Sequence, residues 1–181
     1  SWTNDNTNIG LAASGDGNIP SFASVNTSFA SIVANITVTP TYTNNGISCD
    51  GPSEIFIITV NPTAEVVEIS NQILCNQEIS EAVSFSTVNT DGVTSYSWTN
   101  DNTTTGLAAS GNGNISAYTV SNSFNNAIVS NITVTPTYTN NGIGCDGPSE
   151  TFSITVNPTA QVDAVVDLSL IHISEPTRLV S

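Results

Sequence analysis

The chain has 181 residues, of which 38% are hydrophobic and only 9% charged, with a formal net charge of −14 at pH 7. Its one histidine, His172, and its one basic residue, Arg178, both lie close to the C-terminus. Nucleic acids and anionic lipids are bound through lysine and arginine, so the composition argues against both as partners. No apolar run reaches the ~20 residues that a membrane-spanning helix needs, so no membrane insertion is predicted.

The sequence of the first 63 residues is repeated later in the chain. Trp2 recurs as Trp98 and Cys49 as Cys145, a period of about 96 residues, and about 46 of 64 positions are identical between residues 1–64 and 97–160. We therefore predict a truncated C-terminal part of one repeat over residues 1–63 and a complete repeat over residues 64–159.

The complete repeat shows short runs with period-2 alternation, separated by turn sequences such as Asp91-Gly92, Asn141-Gly142 and Asp146-Gly147-Pro148. The predicted strands are Glu65–Ile69 with Ile73–Leu74, Ala82–Val88, Thr94–Thr99, Ile115–Val120, Ile128–Tyr138 and Glu150–Val156. No helical period is present. This pattern predicts an all-β fold made of tandem Ig-like β-sandwich repeats, the first of them N-terminally truncated.

The alternate residues of these strands whose side chains face inward form the predicted core. Its members are Trp98, Tyr96, Phe85, Ile132, Val134, Phe152 and Ile154. A strand tryptophan is usually the centre of an Ig-like core, and Trp98 is assigned that role. The alternative is that Trp98 is an exposed platform on which a sugar ring stacks.

The end of the chain departs from the repeat. Residues 160–167 resemble the start of a third repeat, and the similarity stops at Leu168. The segment LSLIHISEPTR, residues 168–178, resembles the translated read-through of a sequencing-library adapter. Residues 168–181 are therefore predicted to be a non-native tail, with a genuine amphipathic tail as the alternative.

Three cysteines in a lysine-free chain suggest an interrupted disulfide framework. Cys75 ends the first predicted strand and Cys145 precedes the last, and such ends can be neighbours in a sandwich. We predict a Cys75–Cys145 disulfide, with the partner of Cys49 upstream of Ser1. The alternative is three reduced cysteines that are buried as small hydrophobic residues.

The sequence predicts no enzyme activity. Residues 1–167 contain no histidine or lysine that could deprotonate a serine or threonine nucleophile. Asp146 and Glu150 flank a turn and are interpreted as solvated residues, although paired carboxylates can hydrolyse glycosides. Asp101, Asp146 and Glu150 are weak candidates for a structural calcium ion, and no other cofactor is predicted.

The run SYSWTNDN…GLAASGNGNI…NITVTPTYTNNG…CDGPSETFSITVNPT resembles the PKD-like repeats of very large secreted Bacteroidota proteins, over residues 1–167. Here TNDN follows Trp98, where the better-known PKD pattern has an acidic segment. The resemblance implies an extracellular, cell-surface adhesin of the gliding or type IX secretion kind, in which the repeats form a non-catalytic stalk. The neighbouring repeats are the expected partners.

Two other functions stay open at this point. The repeats could bind glycan or protein through their most divergent segments, residues 20–34 and 116–130, with weak sites adding up by avidity. Phe22, Tyr118, Phe29 and Phe124 are the aromatic residues available there. The repeats could also be an accessory spacer in a secreted polysaccharide-degrading enzyme. Fold alone does not separate these three functions.

Overall fold

The computed structural model describes residues 1–163. The predicted non-native tail and residues 164–167 of the predicted third repeat lie outside this range. The described chain is all-β, apart from two single-turn 3₁₀ helices at Thr7–Ile9 and Thr103–Thr105. Neither of these helices is long and apolar enough to cross a membrane. The strands are β1 Trp2–Asn4, β2 Ser14–Gly15, β3 Ile32–Val38, β4 Thr41–Asn44, β5 Ile47–Asp50, β6 Glu54–Val60, β7 Gln72–Cys75, β8 Val93–Asn100, β9 Ser110–Asn112, β10 Ile128–Asn140, β11 Ile143–Asp146 and β12 Glu150–Asn157.

Residues 64–159, the second copy, contain one six-stranded sheet in the order β7-β12-β10-β8-β9, with β11 also paired to β10. All pairs are antiparallel except β7 with β12, which run parallel. β10 is the central strand. Its partner on one side changes from β12 to β11 between Val134 and Thr137, and Pro136 lies in this gap. A proline is tolerated there because no ladder bond needs its missing N–H.

A layer of extended segments packs against this sheet. Three predicted strands, 65–69, 82–88 and 115–120, lie in this layer and form no ladder; segments 82–88 and 115–120 meet at one isolated bridge, Val83 with Ile115. Backbone hydrogen bonds join these segments at a few points, such as Val83 N to Ile115 O at 2.9 Å, and side chains supply others: Phe85 N donates to Asn114 Oδ1 at 2.9 Å. The asparagine-rich composition accounts for the lack of regular ladders in this layer, because asparagine side chains compete for the backbone groups that a ladder would pair. The arrangement is consistent with a β-sandwich.

The core lies between the two layers. Its buried members are Val83, Phe85, Trp98, Leu107, Ile115, Val120, Ile132, Val134, Phe152, Ile154 and Val156, with Tyr96 partly buried against them. The ring centroids of Phe85 and Tyr96 are 5.4 Å apart. The Trp98 indole covers Gly111 on β9 so closely that a Cβ there would lie 2.3 Å from the ring. Trp98 therefore occupies a core position and offers no exposed stacking face.

Residues 1–63, the first copy, contain a four-stranded sheet in the order β2-β1-β3-β6 and a separate β4–β5 hairpin. Its buried cluster is smaller and consists of Trp2, Ile9, Leu11, Ala34 and Ile36. The hairpins of both copies turn through Asn-Gly pairs with left-handed φ values, 49° and 79° at Asn45-Gly46 and 49° and 77° at Asn141-Gly142. Two positive φ angles define the turn type that suits a two-residue hairpin loop.

The predicted Cys75–Cys145 disulfide is wrong. All three cysteines are free thiols, and Cys49 and Cys75 are exposed. Cys75 pairs with Asn157 beside the start of β10, whereas Cys145 pairs with Tyr138 near the end of that strand. At ~3.3 Å per residue these positions are about 30 Å apart, far beyond the ~7 Å limit for the Cα atoms of a disulfide. The parallel pairing of β7 carries Cys75 away from Cys145.

Candidate functional site

Two aspartates, each three residues after a strand tryptophan, accept hydrogen bonds from a neighbouring strand. The Asp101 carboxylate accepts hydrogen bonds from Asn131 N at 2.7 Å and from Asn131 Nδ2 at 2.8 Å. Asp5 accepts the corresponding pair from Asn35, both at 2.7 Å. The side-chain bond from Asn131, followed by its backbone bond, holds the pKa of Asp101 below its ordinary value, and Asn35 does the same for Asp5. The role of both carboxylates is structural pairing.

The three calcium candidates are not brought together. Asp146 accepts a hydrogen bond from Thr137 Oγ1 at 2.6 Å, while Glu150 pairs with Val134. Asp101 lies beside β10 three residues further back, so successive acids are about 10 Å apart along the strand. A calcium ion needs oxygens at 2.3–2.6 Å from one centre. Within residues 1–163 no three acidic, cysteine or histidine side chains are grouped closely enough to hold a metal.

The aromatic residues of the divergent segments divide into two kinds. Phe22 and Tyr118 are partly buried and pack against the two cores. Phe29 and Phe124 are each 51% exposed. The divergent segments therefore present one accessible ring per copy, and these two rings are the aromatic groups that remain for a ligand at this surface.

A cluster of hydrogen-bonded side chains lies where the two copies meet. Ser31 Oγ donates to Asn61 Oδ1 at 2.9 Å and accepts from Asn140 Nδ2 at 2.7 Å. The Asn61 amide group donates to Ile143 O at 3.4 Å. Ser31 and Asn61 belong to the first copy, whereas Asn140 and Ile143 belong to the hairpin tip of the second. The cluster therefore joins two β units through side-chain hydrogen bonds.

Tyr138 is the buried centre of this junction. Its hydroxyl donates to Thr90 O at 2.8 Å, and its oxygen lies 3.2 Å from Ser31 Oγ. The side chain is 0% exposed. Gly92 packs on the ring so closely that a Cβ there would lie 2.4 Å from Cζ, which explains the need for glycine. Thr90 also crosses the junction, because its N–H donates to Phe29 O at 2.8 Å.

The linker between the copies is packed into the structure. Pro62 and Ala64 are buried. Asn89 binds the chain on both sides of this point, donating to Thr63 O at 2.9 Å and accepting from Glu65 N at 2.8 Å. A Cβ on Gly147 would lie 1.8 Å from Ala64 O, so the linker passes directly over that glycine. Short length and close packing both oppose rotation of one copy against the other.

A cavity of about 520 Å³ opens beside the junction. One side is formed by the end of β6, from Ile58 to Asn61, and the other by the hairpin tip of the second copy with Asn140, Ile143 and Cys145. Aliphatic side chains and asparagine amides line it. Among the described residues that line it, none carries a carboxylate, an imidazole or an amine that could transfer a proton.

The junction residues were missed by sequence reasoning. Nothing in the sequence around Ser31 or Asn61 indicates a contact between the two copies. One signal was available: Tyr138 lies in the same strand phase as Ile132 and Val134, which predicts burial. Which surface covers the tyrosine depends on the packing of two copies, and a strand pattern does not contain that information.

No protein-family model matches the chain, and a search of curated proteins also finds no match. The candidate site is therefore interpreted from its own geometry.

Proposed function

We propose that the chain is a non-catalytic structural repeat, the stalk or spacer of a large secreted or cell-surface adhesin with PKD-like, Ig-like domains in tandem. The observation that carries the proposal is the junction, where Ser31, Asn61 and Asn140 connect the copies and Tyr138 is buried. A binding module needs a recognition surface, whereas a spacer needs joints that keep successive units in fixed orientation. The hydrogen-bonded cluster between the two copies is such a joint.

Composition and charge agree with this function. Residues 1–163 contain no lysine, arginine or histidine, so a serine or threonine there has no side-chain amine or imidazole as a base. Many residues on the exposed strand faces are threonine, serine and asparagine, which hydrogen-bond to water through uncharged groups. A net negative charge keeps neighbouring stalks apart on a crowded surface.

A second candidate function is glycan or protein binding by the repeats themselves. Phe29 and Phe124, each half exposed on the divergent segments, are the observation in its favour. Stacking of a ring on a sugar is weak at one site and would depend on many copies. A third candidate function is an accessory spacer in a polysaccharide-degrading enzyme. It requires the same joint between copies and differs from the adhesin only in the catalytic domain of the parent protein. Long-read sequencing of the locus separates it from the adhesin.

The spacer function is tested by measuring the orientation of the two copies. Spin labels on cysteines placed at Thr3 and Thr99, exposed equivalent positions, report the inter-copy distance in a chain whose three native cysteines are replaced by serine. We expect a narrow distance distribution that broadens when Ser31→Ala and Asn61→Ala are combined. A broad distribution that these substitutions leave unchanged would contradict the proposal.

A matched control and a binding assay complete the test. Asn157→Ala makes the same chemical change at the position equivalent to Asn61, away from the junction, and should leave the distribution narrow. The unlabelled chain is also passed over immobilised bacterial and plant polysaccharides. Retention that Phe124→Ala abolishes would favour the binding module over the spacer.

A further inference from the structure

The first copy has an open sheet edge that is closed in the second. In the described part of the chain β6 pairs with β3 on one side and with no strand on the other. The corresponding strand, β12, carries β7 on that side in parallel register, from Ile154 with Gln72 to Asn157 with Cys75. An unpaired edge presents N–H and C=O groups that can bind another strand.

The backbone groups of β6 that face the open edge can be assigned by comparison with β12 of the second copy. There Asn76 N donates to Asn157 O at 3.0 Å, and Ser153 N donates to Asn71 Oδ1 at 2.7 Å. Backbone groups alternate along a strand, so positions 153, 155 and 157 face β7. Their equivalents in β6 and just after it are Ile57, Thr59 and Asn61. The intervening residues Ile58 and Val60 face β3, which already pairs with them.

Side-chain exposure shows that more than backbone is uncovered. Phe56 is 44% exposed and Tyr42 73%, whereas their equivalents Phe152 and Tyr138 are 2% and 0% exposed. The coverage in the second copy comes from residues 65–93, where Val66 and Ile69 pack on the core and Gly92 packs on Tyr138. The same apolar positions are thus present in both copies, and only one copy has its cover.

Space for a strand exists at this edge. The cavity of about 520 Å³ at the junction runs along Ile58–Asn61, the segment whose counterpart in the second copy pairs with β7. The hairpin tip of the second copy forms the opposite side without closing it. The edge of β6 is therefore accessible within the junction.

We propose that the edge of β6 is a binding site for one further strand with the sequence character of Gln72–Cys75. This strand pairs in parallel with Ile58–Asn61, and the residues that flank it cover Phe56 and Tyr42 as residues 65–93 cover Phe152 and Tyr138. The occupant is a repeat segment of the same kind as residues 64–96. The inference depends on comparing the two copies and not on the function of the parent protein.

The test adds a second copy of residues 64–96 in front of Ser1 of the full chain and follows amide hydrogen exchange by NMR. We expect exchange at Thr59 and Asn61 to slow at least tenfold relative to the chain without the addition. Exchange at Ile58 and Val60, which already face β3, should change much less. Unchanged exchange at Thr59 and Asn61 would overturn the proposal.

Two variants of the added segment alone sharpen the result. Alternation from Asn76 places the Leu74 N–H toward the partner strand and the Ile73 N–H away from it. Leu74→Pro in the added segment should therefore abolish the protection, whereas Ile73→Pro should keep most of it, because proline is tolerated where no ladder bond is made. Equal protection with both variants would refute the parallel register.

The unmodified chain provides the remaining outcome. If its Thr59 and Asn61 amides become protected as protein concentration rises, with a doubled mass in light scattering, the edge pairs with a second β6 and the assignment of a β7-like strand is overturned. A monomer with fast exchange at these two amides supports it. The dispersed amide signals of residues 93–157 in the same spectra confirm in every sample that the second copy is folded.

Discussion

Replacing Tyr138 by phenylalanine removes one hydroxyl from the centre of the junction and leaves the ring in place. That hydroxyl donates to Thr90 O at 2.8 Å, in a side chain that is 0% exposed. A net hydrogen bond contributes about 1 kcal/mol, and a partly buried carbonyl left without a donor adds to the loss. We expect Tyr138→Phe to lower the free energy of unfolding of the second copy by about 1–2 kcal/mol.

The first copy supplies the matched control. Tyr42 is the equivalent residue, is 73% exposed and makes no side-chain hydrogen bond within the described chain, so Tyr42→Phe should change the free energy of unfolding by less than about 0.5 kcal/mol. Urea unfolding of the second copy is followed through Trp98 fluorescence in a Trp2→Phe background, and that of the first copy through Trp2 fluorescence in a Trp98→Phe background. With a slope of about 1 kcal/mol per molar urea, the midpoint should fall by about 1–2 M for Tyr138→Phe only.

A fall of equal size in both variants, or none in either, would refute the argument that the buried hydroxyl is a structural contact. A double-mutant cycle with Ser31→Ala then measures the coupling energy between Ser31 of the first copy and Tyr138 of the second. Because Ser31 Oγ lies 3.2 Å from the Tyr138 oxygen, the two substitutions should not be additive.

Three further predictions concern other parts of the molecule. Gly111→Ala should destabilise the second copy by about 1–3 kcal/mol, because its Cβ would lie 2.3 Å from the Trp98 ring, while Gly144→Ala, whose nearest contact is 3.5 Å, should be close to neutral in the same urea assay. Folding lowers the pKa of Asp101, so the stabilising contribution of its carboxylate is present above the ordinary carboxyl pKa of about 4 and is lost as the pH falls through the folded value. In thermal unfolding between pH 2 and 7, the melting temperature of Asp101→Asn should therefore depend less on acid than that of the unchanged chain. Cys75 and Cys145 should both react with a maleimide in the native protein without a reductant, as read by peptide mass spectrometry, and protection of both from labelling would indicate a disulfide.

The strands that form ladders could be predicted from sequence. The period-2 pattern gave Ile128–Tyr138, Thr94–Thr99 and Glu150–Val156 to within two residues, because these strands have one buried face and bounded turns. The same pattern overpredicted strands at 65–69, 82–88 and 115–120, where side-chain acceptors such as Asn114 and Ser80 take some of the backbone N–H groups and the remaining backbone bonds form no continuous ladder. Alternation reports which face is buried and does not report what the backbone binds.

The site was harder to predict because its geometry is nonlocal. The disulfide prediction assumed that the ends of the first and last strands meet, and the parallel pairing of β7 with β12 places them apart. The calcium candidates were chosen by residue type, yet their positions along β10 separate them. The junction joins Ser31 to Asn140, more than a hundred residues later, and only the packed structure brings them together.

The parallel pair of β7 and β12 also determines how the second copy responds to tension. β7 lies toward the N-terminal end of the copy and β12 at its C-terminal end, and the two run in the same direction over four paired positions. A force pulling the two ends of the chain apart draws β7 backward and β12 forward, along the line of the strands. The hydrogen bonds between them are then loaded in shear, all at once, whereas a hairpin pulled from its open end breaks one bond at a time. We therefore expect the strand that carries Cys75 to resist extension of this copy.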